Sequence, residues 1–135
     1  MARAMSELPN ITGVDFASLP TQDLERAVAF YRDTLGLAIS VHMPDRGFAE
    51  FETGNLTLSV HESERMGLKF APNPAALALH VPDLAAARAD LESKGVVFHI
   101  PTIDTGVCHI APFNDPDGNG LMLHHRYAPR IAEHD

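Results

Sequence analysis

Asp23-Leu-Glu-Arg-Ala-Val-Ala-Phe-Tyr-Arg-Asp-Thr-Leu-Gly36 is the stretch that decides how the chain is read. Leu24, Ala27, Val28, Tyr31 and Leu35 recur at helical spacing, the pattern of an amphipathic helix with one face against a core. Asp23 is placed to cap the helix, its carboxylate accepting from free N–H groups of the first turn, and Gly36 is placed to end it. The pattern returns further on. Asp83, Leu84 and Ala87 repeat Asp23, Leu24 and Ala27, Leu91 supplies a later apolar position, and Gly95 closes the helix. Each helix follows an apolar, strand-like run, 11–19 and 75–81. Two copies of one unit are therefore expected, with any functional site between them.

The rest of the chain fills out the same plan twice. In the first unit, residues 11–61, the strands expected after the helix are 37–42, 48–52 and 56–60. Thr53-Gly-Asn55 is the hairpin signal between the last two. Val14, Phe16 and Ser18 fall on one face of the first strand, and Pro20 is expected to end it. In the second unit, residues 75–125, strands are expected at 75–81, 96–100, 106–113 and 121–125. Asn114-Asp-Pro-Asp-Gly118 is the tight turn before the last. Residues 62–74, with charge, glycine and two prolines, read as the linker. Residues 1–10 and 126–135 read as tails. The fold class is α+β, two βαβββ modules.

Composition narrows the function. The 135 residues carry a net charge of −8, which argues against nucleic acid as a partner, since phosphates call for a basic face. A hydrophobic content of 45% is spread without any run long enough to span a membrane. The N-terminus has Arg3 but no apolar core segment, so no secretory leader is expected. The single cysteine, Cys108, fits a reducing cytoplasm and, between Val107 and His109-Ile110, reads as a buried, inert thiol. No Gly-rich phosphate loop, Ser-His-Asp pattern or Cys-x-x-Cys occurs.

The helix motif containing Ala29-Phe-Tyr-Arg-Asp-Thr-Leu-Gly-Leu37, together with Asp115-Pro-Asp-Gly-Asn119, resembles the vicinal oxygen chelate superfamily of glyoxalases, bleomycin-resistance proteins and extradiol dioxygenases. The resemblance covers residues 11–125. It implies paired βαβββ modules that close into a half-open barrel around a cleft, usually in a homodimer. It also implies metal-ligand positions, a His seven residues before each capping Asp and a Glu four residues after the Gly of the later motif. Those positions hold Phe16, Ala76 and Met122, and the fourth maps to the stretch 57–59. Divalent metals bind imidazole, carboxylate or thiolate, so no metal and no other cofactor is expected. Leu19-Pro-Thr-Gln-Asp23 is further similar to the start of bleomycin-resistance proteins, acidic dimers that sequester a cationic drug.

With the family's cleft as guide and a strand period of two, the expected ligand-binding residues are Phe16, Ser18, Phe48, Ala78, His80, Met122 and His124. The expected function is metal-free binding of a small molecule, an antibiotic or other aromatic or cationic metabolite. The alternative is a lyase or isomerase that uses His80 and His124 as acid–base groups near neutral pH, or a metal enzyme with relocated histidine ligands. Glu50, facing the cleft, would be a general base or the partner of a cationic ligand.

Overall fold

The computed structural model describes residues 10–130. The outer parts of both expected tails, 1–9 and 131–135, lie outside the described residues. The first unit runs β1 (Phe16–Thr21), α1 (Leu24–Val28), β2 (Ala38–Met43), β3 (Phe48–Glu52) and β4 (Thr57–Glu62). The second runs β5 (Leu77–His80), α2 (Leu84–Ser93), β6 (Ile103–Asp104), β7 (Cys108–Asn114) and β8 (Gly120–Arg126). Each unit is a four-stranded mixed sheet, in the orders β1-β4-β3-β2 and β5-β8-β7-β6. The first strand of each pairs parallel to the last. The helix and the two strands after it make the long connection that such a pairing demands.

Both helices start as the sequence predicts. Asp23 and Asp83 are N-caps, accepting from the backbone N–H of Arg26 and Ala86. The first helix then changes character: residues Ala29–Thr34 form a π-helix, closed by Leu35 N–H bonding the Phe30 carbonyl at 2.9 Å. Tyr31 sits inside this wider turn, its ring edge-on to Phe30 and tilted against Phe51. Leu24, Ala27, Val28 and Tyr31 are buried with Leu58, Val60, Leu91, Leu121 and Leu123 in one apolar cluster drawn from both units. Each such leucine or valine contributes about 1.5–3 kcal/mol.

Four sequence expectations are corrected. The first strand begins at Phe16, not at 11, and runs through Pro20, which pairs with His61. A proline fits because β1 is an edge strand and needs no outward donor. The strand expected at 96–100 does not form. Arg88 donates to the Ile100 carbonyl and the Thr102 hydroxyl, Pro101 has no N–H, and Phe98 packs on Phe113. Only the two residues of β6 remain to pair with β7. Finally, the last strand extends to Arg126, and the N–H groups of Tyr127 and Ala128 bond the Val107 carbonyl, so the ordered chain passes the expected limit at 125.

The units are joined by the loop before β8. Asp115 is buried, and its carboxylate accepts from the Tyr31 hydroxyl at 2.7 Å, from the Asn119 side chain at 2.8 Å and from the N–H groups of Asp117 and Asn119. Asn119, fully buried, also donates to the Pro20 carbonyl and accepts from Asn73 N–H. The Asp117 carboxylate accepts from the Thr21 hydroxyl, Gln22 N–H and Arg26. The turn needs glycine twice: Gly118 has φ +90, and a side chain on Gly120 would meet the Pro74 carbonyl and Ala76 Cα at 3.2 and 3.3 Å.

Candidate functional site

Strand alternation gives each sheet one face against the core and one open face. In the first sheet, Leu19, Ala49, Phe51, Leu58 and Val60 turn inward. The register then aligns the opposite residues in rows: Phe16, Thr57 and Glu52; Ser18, Ser59, Glu50 and Val41; Pro20, His61, Phe48 and Met43. A bulge between Ile39 and Val41 turns both Ser40 and Val41 to this face. In the second sheet, Leu77, Leu79, Leu121 and Leu123 turn to the core, and the open rows are Ala78, Met122 and Pro112, then His80, His124 and Ile110.

The seven expected residues therefore fall in two groups. Phe16, Ser18 and Phe48 share the open face of the first sheet, and Ala78, His80, Met122 and His124 share that of the second. None of the four best-formed cavities among the described residues is lined by both groups. Ala78 and His80 do line a cavity, but in the seam between the units. His80 pairs in register with His124, while its ring lies 6.2 Å from that of His125, whose Nδ1 is 3.1 Å from the Val81 carbonyl. His109 faces away from the open side, near Asp104 and the Tyr127 ring.

The register also places the fourth ligand position that sequence alone left between 57 and 59. Ser18 pairs with Ser59 as Ala78 pairs with Met122, and both Ser18 and Ala78 precede their capping Asp by the same interval, so Ser59 is the counterpart of Met122. Phe16, Ser59, Ala76 and Met122 offer no imidazole, carboxylate or thiolate, so this donor set does not fit a divalent metal. Among the described residues no three His, Cys, Asp or Glu side chains group as a metal site would require.

What the first face does offer is polar and partly unsatisfied. Glu52 accepts from Ser40 at 2.6 Å and Thr57 at 2.7 Å, and these hydrogen bonds hold its carboxyl below the usual range. Glu50, in the next row, is left without a side-chain partner among the described residues. His61 Nδ1 is buried and also unpartnered among them. Phe16 is 54% exposed, a large apolar group presented to solvent beside these polar ones. On the second face Arg126 Nε is buried and unpartnered among the described residues, and Cys108, which pairs with Arg126, is buried against the Thr105 hydroxyl. The sequence singles out Glu50; that His61 lies one row away on the same face comes from strand register.

Two mixed sheets, each with a first strand parallel to its last and a helix across it, define the duplicated βαβββ class. Within that class, the family model of the glyoxalase/bleomycin resistance protein/dioxygenase superfamily matches residues 13–123, and the chain belongs to that family. A glyoxalase/bleomycin resistance protein/dioxygenase from Nocardioides is similar in structure, with a TM-score of 0.76 at 22% identity over 96% of this chain and 94% of that one. A lactoylglutathione lyase from Agrobacterium tumefaciens gives 0.74 at 18% identity over 84% and 93%. TnmS3, an antibiotic binding protein from Streptomyces sp. CB03234, gives 0.74 at 26% identity over 88% and 99%. No curated protein matches the chain in sequence. No helix among the described residues is long and apolar enough to cross a membrane.

Proposed function

We propose that this chain binds a small organic molecule directly, without a metal, on the open faces of its sheets. The ligand is an antibiotic or other metabolite with an aromatic part and a cationic or hydrogen-bond-donating group. The observation that carries this reading is the first open face itself. Phe16 stands where the family's metal enzymes carry a ligand, and it lies in the lattice of Ser18, Ser59, Glu50, His61 and Phe48. An aromatic ligand stacks on the phenyl rings. A donor on that ligand pairs with the Glu50 carboxylate, which has no side-chain partner among the described residues. The similarity to an antibiotic binding protein supports the same class.

A homodimer belongs to this proposal. Phe16 at 54% exposed, and Ile11 and Val14 just before β1 at 81% and 72%, present apolar surface that a second copy would cover. The first open face of one copy set against the second open face of the other would bring Phe16 and Glu50 opposite Met122 and His124. The test is an affinity panel of cationic glycopeptide and aromatic polyketide antibiotics against the wild type, Phe16→Ala and Glu50→Gln. One ligand is expected to bind, with Phe16→Ala weakening it by about tenfold or more and Glu50→Gln weakening only cationic ligands. A panel with no binder, or a binder indifferent to both substitutions, contradicts the proposal.

A further inference from the structure

We propose that the seam between the two units holds a second site, separate from the open faces, for an uncharged aliphatic molecule carrying a hydroxyl or carbonyl group. The seam contains a cavity of about 580 Å³, within the range of small-molecule pockets. Its apolar lining includes Leu35, Leu37 and Leu58 from the first unit and Leu79, Leu91 and Leu123 from the second. These leucines belong to the buried cluster or pack on it, so the cavity is an opening in the core side of the molecule. None of Tyr31, Asp115, Asp117 and Asn119, which tie the units together, lines it.

Three features set the chemistry of the occupant. No aromatic side chain other than the His80 imidazole lines the cavity, so apart from Thr53 and Asn55 at the first unit's hairpin the side-chain contacts available are mainly those of aliphatic groups. The carboxylate at its margin, Asp90, is paired with Lys94 at 3.2 Å, which leaves no unmatched charge to receive a cation. The same pairing leaves no unmatched charge for an anion, which the net charge of −8 further disfavours. An uncharged molecule is what remains.

The third feature is a free strand edge. Residues 77–81 all line the cavity, although alternate residues of a strand point to opposite faces. The cavity therefore meets β5 edge-on, and β5 is the outer strand of its sheet. Val81 N–H bonds the His124 carbonyl, so alternation turns the backbone groups of Ala78 and His80 to the unpaired side. Their N–H and C=O groups are the hydrogen-bonding partners that an aliphatic alcohol or ketone would use.

The test uses the full chain with n-decanol and its charged counterpart decanoate, followed by calorimetry and by NMR contacts between the probe and leucine methyl groups. Decanol is expected to bind with contacts to the methyls of Leu58, Leu91 and Leu123, and decanoate to bind at least about tenfold more weakly. Ala87→Phe, which projects a ring into the cavity from α2, is expected to abolish decanol binding. The methyl contacts in the wild type decide the matter even if that variant folds poorly. No decanol binding, contacts to the Phe16 or Met122 side chains instead, equal affinity for decanoate, or decanol that only dissociates a dimer would each overturn the proposal.

Discussion

The hairpin between β3 and β4 and the hairpin between β7 and β8 occupy the same place in the two units and do opposite things. The first is local in its hydrogen bonds, though it borders the seam cavity: the Thr53 hydroxyl bonds the Leu56 backbone and Asn55, and its residues are exposed or half-buried. The second buries Asp115 and Asn119 and reaches across to the other unit. The helices show the same asymmetry. Tyr31 in the first has Leu91 as its counterpart in the second; both are buried, but Tyr31 also carries a hydroxyl to Asp115 and sits in a π turn. Duplication supplied a scaffold with two equivalent corners, and one corner became the joint. The Asp-Pro-Asp-Gly-Asn motif that marks the family in sequence is, in this chain, that joint.

The largest test of this contrast is Asp115→Ala. It strands the Tyr31 hydroxyl, the Asn119 amide and two backbone N–H groups in a buried site, and is expected to cost about 3–5 kcal/mol in urea unfolding. A loss under about 1 kcal/mol would mean that the loop is not the joint. Tyr31→Phe removes one buried hydrogen bond to a carboxylate and is expected to cost about 1.5–3 kcal/mol. Thr53→Ala, in the equivalent hairpin of the first unit, is expected to cost about 0.5–1 kcal/mol, because its partners are reachable by water. If it costs as much as Asp115→Ala, the comparison fails.

The same joint sets an alkaline limit. Burial, then the Asp115 charge and its hydrogen bond, push the Tyr31 hydroxyl well above its ordinary value of 10.0. The neutral form is thus favoured in the folded state, and this contribution is fully present below pH 10 or so and lost as pH rises beyond it, where the unfolded chain ionises first. Stability is expected to fall above about pH 10. The fall should be shallower in Tyr31→Phe, read as urea midpoint against pH. In acid the sign reverses for Glu52 and Asp104. Hydrogen bonds from Ser40 and Thr57, and from Gly106 N–H and Tyr127, hold these carboxyls below their ordinary values. What they contribute is present above those values and lost as pH falls through the lowered ones, the smallest of the effects named here.

How far the sequence carries can be judged from the same elements. Helix caps, the repeated Asp-Leu-x-x-Ala pattern and period-two strands gave both units, because those signals are local. The strand at 96–100 was misread because its pairing depends on Arg88 capturing the Ile100 carbonyl, which periodicity does not register. The π turn was hidden because Leu24, Ala27, Val28 and Tyr31 fit an ordinary helix equally well. Parity put Ser18 with Phe16, and Ala78 with His80, but the match of Ser59 to Met122 needed register. That Tyr31 meets Asp115, 84 residues away, has no local signature at all. Nor does the division of the expected residues between two separate faces.

The most direct measurement is a calorimetric titration of the tightest ligand from the antibiotic panel, performed once in a strong chelator and once with zinc, nickel, manganese or iron(II) added. Binding through Phe16 and Glu50 predicts the same affinity and stoichiometry in every case. Binding that disappears in chelator and returns with one of the metals would contradict the account.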